Sequence, residues 1–186
     1  MSQTDKKGKA SRRIAFGGIA AALSLLFLFL SGVFPFAEYT CPALAGIVLI
    51  ALVIDFGKPT AWIAYGAVAL LALIATPNKE SAVLFVFFLG YYPILKSNIE
   101  QLRSRVAEWA VKLVAFNLMG ALAYLLLINV FGMTGLLEEM SGGMQYGLLL
   151  FWGLGNIAFV VYDLALSRLI QLYCLRIRPK FRSVLK

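Results

Sequence analysis

The chain has 186 residues, 61% of them hydrophobic, and a mean hydropathy of +0.85. That is far above the apolar share of a soluble domain, so the composition excludes one and predicts an all-α integral membrane protein. The formal net charge of +8 does not point to nucleic acid, because basic residues beside membrane spans set orientation and meet anionic lipid.

Residues 1–11 are polar and basic, with Lys6, Lys7 and Lys9, and read as a disordered cytoplasmic tail. Arg12 and Arg13 then lead into eighteen residues without a charge. As a helix rising about 1.5 Å per residue, such a run crosses the hydrocarbon of a bilayer. It is too long for the apolar region of a signal peptide, and no A-x-A cleavage site follows. Its first half is built of small residues. Gly17 with Ala21 and Gly18 with Ala22 are spaced to let another helix approach closely, and in lipid such packing drives association. Gly17, Gly18, Ala21 and Ala22 are therefore candidate partner-docking residues. The alternative is that they pack against the chain's own helices.

The remaining spans follow in order. The first, 13–32, leads into the loop Gly32–Thr40, which carries Pro35, Glu38 and Tyr39. A short second span, Pro42–Phe56, ends in a turn marked by Gly57 and Pro59. The third is Thr60–Ala75, with Trp62 and Tyr65 as interfacial aromatics, and the polar loop Thr76–Ser81 follows. The fourth, Ala82–Leu95, contains Pro93, which is expected to kink or end it. Lys96–Trp109 has apolar residues at helical spacing and reads either as an interfacial amphipathic helix or as an extension of the next span. The fifth span is Ala110–Phe131. A glycine-rich loop, Gly132–Gly143, holds Glu138 and Glu139, and the sixth span, Met144–Leu169, runs on to a basic tail at 176–186. The expected organisation is one compact six-helix bundle over residues 12–175.

Charge tests this count. With six spans, both termini share one side, and sixteen of the seventeen lysines and arginines fall there, leaving Lys79 alone on the other. The positive-inside rule then places both termini in the cytoplasm of a multi-pass protein of the cell's inner, cytoplasmic membrane. Cys41 and Cys174 fall near opposite faces, so no disulfide is expected between them.

The chain has no histidine, which removes histidine-based triads and H-E-x-x-H metal sites. Gly57-Lys58-Pro59-Thr60 lacks the upstream glycine of a P-loop, and Pro59 splits its lysine–threonine pair. No metal, no cofactor and no catalysis are expected. Polar residues inside spans are costly in lipid. Asn117 and Asn156 read as amides bonded to each other or to backbone, or as functional groups. Lys112 and Asp163 read as a structural pair, and Asp55 with Lys58 as a solvated pair in the turn. The outer face, poor in basic residues, collects Glu38, Tyr39, Asn78, Lys79, Glu80, Glu138, Glu139, Gln145 and Tyr146. Polar groups above an aromatic-lined bundle suit a small-molecule site, the alternative being loop solubility. Glu38, Tyr39, Asn78, Lys79, Gln145, Tyr146, Trp152 and Asn156 are the candidate substrate-binding residues. Trp152 and the tyrosines offer ring faces, and the amides offer hydrogen bonds.

These features together resemble the substrate-binding S components of energy-coupling-factor vitamin transporters. The likeness lies in the size and six spans, and in the basic lead into a small-residue first helix (Arg13, Ala15, Gly17, Gly18, Ala21, Ala22). It extends to the proline-bearing first outer loop at Pro35, and to Gly57-Lys58-Pro59 and Thr76-Pro77. The family's first helix carries an alanine-x-x-x-alanine docking motif; the nearest match here is Gly17 and Ala21. The resemblance implies a subunit without catalysis that captures a vitamin-like solute at the outer face. Its partners would be a transmembrane T subunit and ATPase subunits that supply the energy. The alternative from another class is a structural scaffold similar to the rod-shape-determining membrane subunit of cell-wall elongation.

Overall fold

A computed structural model of the chain describes residues 3–34, 37–132 and 146–179. Among the described residues the chain is helical, without a strand. Helix α1 spans Gln3–Leu30, α2 Thr40–Phe56, α3 Lys58–Ala75, α4 Lys79–Leu84, α5 Tyr92–Ile99, α6 Arg105–Asn129 and α7 Gly147–Leu172. The helix α1 already includes 3–11, which the sequence reads as a disordered tail. Apart from Gly8 nothing there opposes a helix, and extending an existing helix costs far less than nucleating one.

Among the described residues, five helical stretches are long and apolar enough to cross a membrane: Ala10–Leu30, Lys58–Ala75, Lys79–Ile99, Arg105–Asn129 and Leu149–Arg176. Thr40–Phe56 is apolar but shorter, at 17 residues. Lengths and composition fit a multi-pass membrane protein. Where the sequence reads a single bundle, the helices group into two compact units, Met1–Asn98 and Ile99–Lys186.

In the first unit, α1 buries Ala20, Ser24 and Leu28, and Ser31 is buried just past its end, a stripe at helical spacing. Against it pack Ala45, Leu49 and Leu52 of α2 and Ala61, Ala64, Val68 and Ala72 of α3. The alanines let the helices approach closely. The Ser24 hydroxyl donates to the Ala45 carbonyl at 3.1 Å, which satisfies a polar group that lipid would not. At one end Phe16 stacks on Phe56 with centroids 5.0 Å apart. There Gly57 turns the chain with φ +87°, a conformation that glycine adopts without strain. Pro59 sits in the first turn of α3, where its missing N–H loses no bond. The Lys58 ammonium donates to the Ser97 carbonyl at 3.2 Å and to the Asn98 side chain, tying the start of α3 to the end of α5.

Between α4 and α5 the helix widens. Residues Phe85–Leu89 form a π-helical turn, and the Gly90 N–H donates to the Phe85 carbonyl at 2.7 Å. The kink expected at Pro93 thus lies ahead of it. Pro93 has no N–H for the Leu89 carbonyl, and its ring crowds that carbonyl. The carbonyls displaced by the wider turn are covered by the neighbouring helices. Tyr65 of α3 donates its hydroxyl to the Val86 carbonyl at 2.7 Å. The Gly46 backbone of α2 lies so close to the Leu89 carbonyl oxygen that a Cβ there would overlap it.

The amphipathic stretch 96–109, which runs from the end of the first unit into the second, is not one helix. The helix α5 stops at Ile99 and α6 starts at Arg105. Ser104 caps α6, its hydroxyl accepting from the Ala107 N–H at 3.5 Å, the signature of a fresh helix start. Phe116 of α6 stacks on Phe159 of α7 with centroids 4.5 Å apart. Past α7 the chain closes in a second π turn, Tyr173–Ile177.

Candidate functional site

At the end of the first unit away from Gly57, the α1–α2 loop meets the α3–α4 turn. Asn78 is the N-cap of α4, its side-chain oxygen accepting from the Ser81 N–H at 3.0 Å. This is a cap's usual role. The same amide donates to the Glu38 carboxylate at 3.2 Å. Ser81 donates its hydroxyl to the Glu38 backbone carbonyl at 2.9 Å. Glu38 is therefore held by its backbone and its side chain, from the two residues that start α4. Close by in the chain, Ser31 donates to the Leu28 carbonyl at 2.7 Å. The adjoining Gly32 abuts Pro77, where an added Cβ would lie 3.0 Å from the proline. Between Pro77 and the end of α3 sits Thr76. It is 1% exposed, and its hydroxyl has no hydrogen-bond partner among the described residues.

Lys79 takes a different part from the one its position suggests. Its ammonium donates to the carbonyls of Leu73 and Ile74 at 3.0 and 3.1 Å. It so satisfies the last turn of α3, where carbonyls lack helical partners. Tyr39 is exposed. The structure thus joins Glu38 and Asn78 directly and places Lys79 on the helix end beside them. Ser81 and Thr76 are additions that the sequence reading misses. The Asn-x-x-Ser spacing before an apolar run would have found Ser81 as the partner of a cap. No local signal marks Thr76, because its orphan state arises from packing.

The other candidate residues lie in the second unit or outside the described residues. Gln145 is outside them, as are Pro35, Glu138, Glu139 and most of the loop Gly132–Gly143. Tyr146 is exposed at the start of α7. Trp152 and Asn156 form a network with Asn117. The Asn117 amide donates to the Asn156 oxygen at 2.9 Å, and the Asn156 amide donates back at 3.2 Å. The Trp152 indole N–H donates to the Asn117 oxygen. Of the readings open for the amides, this is mutual bonding between helices.

The expected Lys112–Asp163 pair is made, at 3.1 Å, and both side chains are buried. The Glu108 carboxylate joins at 2.7 Å and that of Glu100 at 3.7 Å. The ammonium lies 5.1 Å from the centre of the Trp109 ring. The Glu108–Lys112 spacing is the favourable i,i+4 order and is legible in sequence. On α1, Gly17 faces the Thr60 methyl, 3.7 Å from where a Cβ would lie, while Gly18 has open space. Ala21 packs against the core and Ala22 is exposed. Cys41 is buried and Cys174 half-buried, both as free thiols.

No protein-family model matches the chain, and no curated protein or solved structure matches it either.

Proposed function

We propose that this protein is the solute-capturing membrane subunit of an uptake system of the energy-coupling-factor kind. It would take a small vitamin-like solute at the outer face and rely on separate T and ATPase subunits for energy. The observation that carries the reading is the Glu38–Asn78–Ser81 cluster, a hydrogen-bonded polar group at the end of the first unit remote from Lys58. With Thr40–Phe56 counted as a crossing, the described residues provide six spans on this reading. Seventeen helical residues reach about 25 Å, just under the roughly 30 Å of hydrocarbon. On this topology the Glu38 end faces outward and sixteen of the seventeen basic residues face the cytoplasm, as the positive-inside rule requires. The exposed Gly18 and Ala22 leave α1 a face on which a transmembrane partner can pack closely.

The test is calorimetric titration of the purified chain with a panel of water-soluble vitamins and their precursors, paired with uptake by a deletion strain. Binding of one member, and loss of its uptake in the deletion strain, is the expected result. Binding of none with unchanged uptake overturns the proposal. Recovery of cell-wall synthases with the tagged protein would then establish the scaffold reading.

A further inference from the structure

We propose that Arg103, Arg105 and Arg168, at one end of the second unit, form a binding surface for the headgroup phosphate of an anionic phospholipid. The helices α6 and α7 run antiparallel, since Lys112 meets Asp163 and Asn117 meets Asn156. That register brings Arg105, seven residues before Lys112, and Arg168, five after Asp163, to nearly one level, about 10 and 8 Å beyond the pair. Arg103 precedes Arg105 by two residues. From Leu149, where the apolar stretch of α7 begins, Arg168 is nineteen residues on, about 28 Å. The three arginines thus fall at the edge of the roughly 30 Å of hydrocarbon, where headgroups lie.

Charge in this unit is sorted. Its described carboxylates are those of Glu100, Glu108 and Asp163, and all three lie within 3.7 Å of the Lys112 ammonium. The arginines are left on the outside. All three are exposed, and none makes an ion pair among the described residues. Apolar side chains stand beside them. Leu164, four residues before Arg168 and so on the same face, is 57% exposed, and Val106, next to Arg105, is 80% exposed. A ligand that covers both kinds of group needs an anionic head and an apolar body, which a phospholipid has and free phosphate lacks. Guanidinium suits the head, because its planar fork binds phosphate oxygens in pairs. A lipid seated there touches both α6 and α7, and stabilises the two-helix unit by mass action.

The experiment places the full-length chain in nanodiscs of phosphatidylcholine alone, or of phosphatidylcholine mixed with phosphatidylglycerol. Thermal unfolding is followed in each, and native mass spectrometry counts the lipid retained after extraction. The expected result is a higher melting temperature with phosphatidylglycerol and its retention over phosphatidylcholine. Each Arg→Gln change at 103, 105 or 168 should weaken that binding about fivefold, the worth of one cation near an anionic surface. Arg→Lys at the same positions keeps the charge but loses the fork, and should weaken it less. Arg12→Gln with Arg13→Gln, in the first unit, should leave the gain in melting temperature intact. Loss of the gain in that control equal to the loss at 103, 105 and 168 would show diffuse attraction by net charge and overturn the proposal. So would an equal melting temperature in the two kinds of nanodisc. A gain produced by inorganic phosphate in phosphatidylcholine alone would overturn the lipid as the source of the anion.

Discussion

The Lys112 ammonium sits 3.1 Å from the Asp163 carboxylate, and both side chains are withdrawn from solvent at 1% and 2% exposure. The pair joins α6 to α7 where neither helix offers many other buried anchors. Removing one partner strands the other charge in a poorly solvating medium, at a cost of about 3–5 kcal/mol. Lys112→Met should therefore lower the unfolding temperature sharply in detergent. Lys112→Met with Asp163→Leu should recover much of the loss, because an apolar pair has no charge to desolvate. A double variant no better than the single one would show that the network with Glu108 and Glu100, rather than the pair, sets the cost.

Gly46 and Gly18 should respond in opposite ways to a side chain. A Cβ on Gly46 would overlap the Leu89 carbonyl, so Gly46→Ala forces α2 away from the fourth segment. The cost should be about 1–3 kcal/mol, as for overpacking elsewhere. A Cβ on Gly18 meets nothing within 4 Å, and the position is exposed, so Gly18→Leu should leave thermal stability unchanged. If α1 docks a partner subunit through that face, Gly18→Leu should abolish co-purification of the subunit from the native membrane. Retention of the subunit by a stable Gly18→Leu protein would remove the docking role.

The amide network between α6 and α7 should be worth less than its count of bonds suggests. Interhelical hydrogen bonds in membranes average about 0.6 kcal/mol and rarely exceed 2. Asn156→Leu removes the exchange with Asn117 and should cost about 1 kcal/mol. Trp152→Phe removes a single donor and should cost less. Thermal unfolding of each variant checks the order. If Asn156→Leu folds normally but binds solute more weakly, the amide belongs to the site as well.

Orientation is testable at Tyr39, which is 72% exposed beside the Glu38 cluster. In a background with Cys41→Ser and Cys174→Ser, Tyr39→Cys should react with a membrane-impermeant maleimide on intact cells. Reaction only after permeabilisation would put the Glu38 end in the cytoplasm and reverse the topology. The wild-type thiol at Cys41 is a poor reporter, because it is buried.

What was legible in the sequence follows from how local each signal is. The spans were readable because long apolar runs are a property of consecutive residues. The turn at Gly57 and Pro59 was readable because glycine and proline act on their own backbone. The Lys112–Asp163 pair was legible because isolated charges in apolar helices have few places to go. The break before Arg105 is hidden in the sequence because the apolar periodicity of Ile99, Leu102, Val106 and Trp109 runs across it. Ser104, a cap that stops one helix and starts another, carried the contrary signal. From sequence Lys79 reads as a site group because it is charged and falls in an outer-face loop. Its engagement with the α3 carbonyls depends on the path of the α3–α4 turn, which composition does not encode. Thr76 was invisible for the same reason: an unsatisfied hydroxyl is a fact of packing.

The π turn at Phe85–Leu89 has a consequence for chain length. A turn closed from residue 90 back to residue 85 holds one residue more than an α-helical turn, so the segment carries an insertion relative to a regular helix. Each residue of an α-helix turns the wheel by about 100°. The extra one therefore sets the angular phase at which Tyr91, Tyr92 and Ile94, all buried, meet the rest of the unit. Deleting a single residue from 85–89 would restore a regular helix, but it would also swing one half of the span to a new face. A deletion paired with a compensating insertion a turn away should be tolerated far better than the deletion alone. In any related chain lacking the equivalent of Pro93, this is the place where a length difference of one residue should appear.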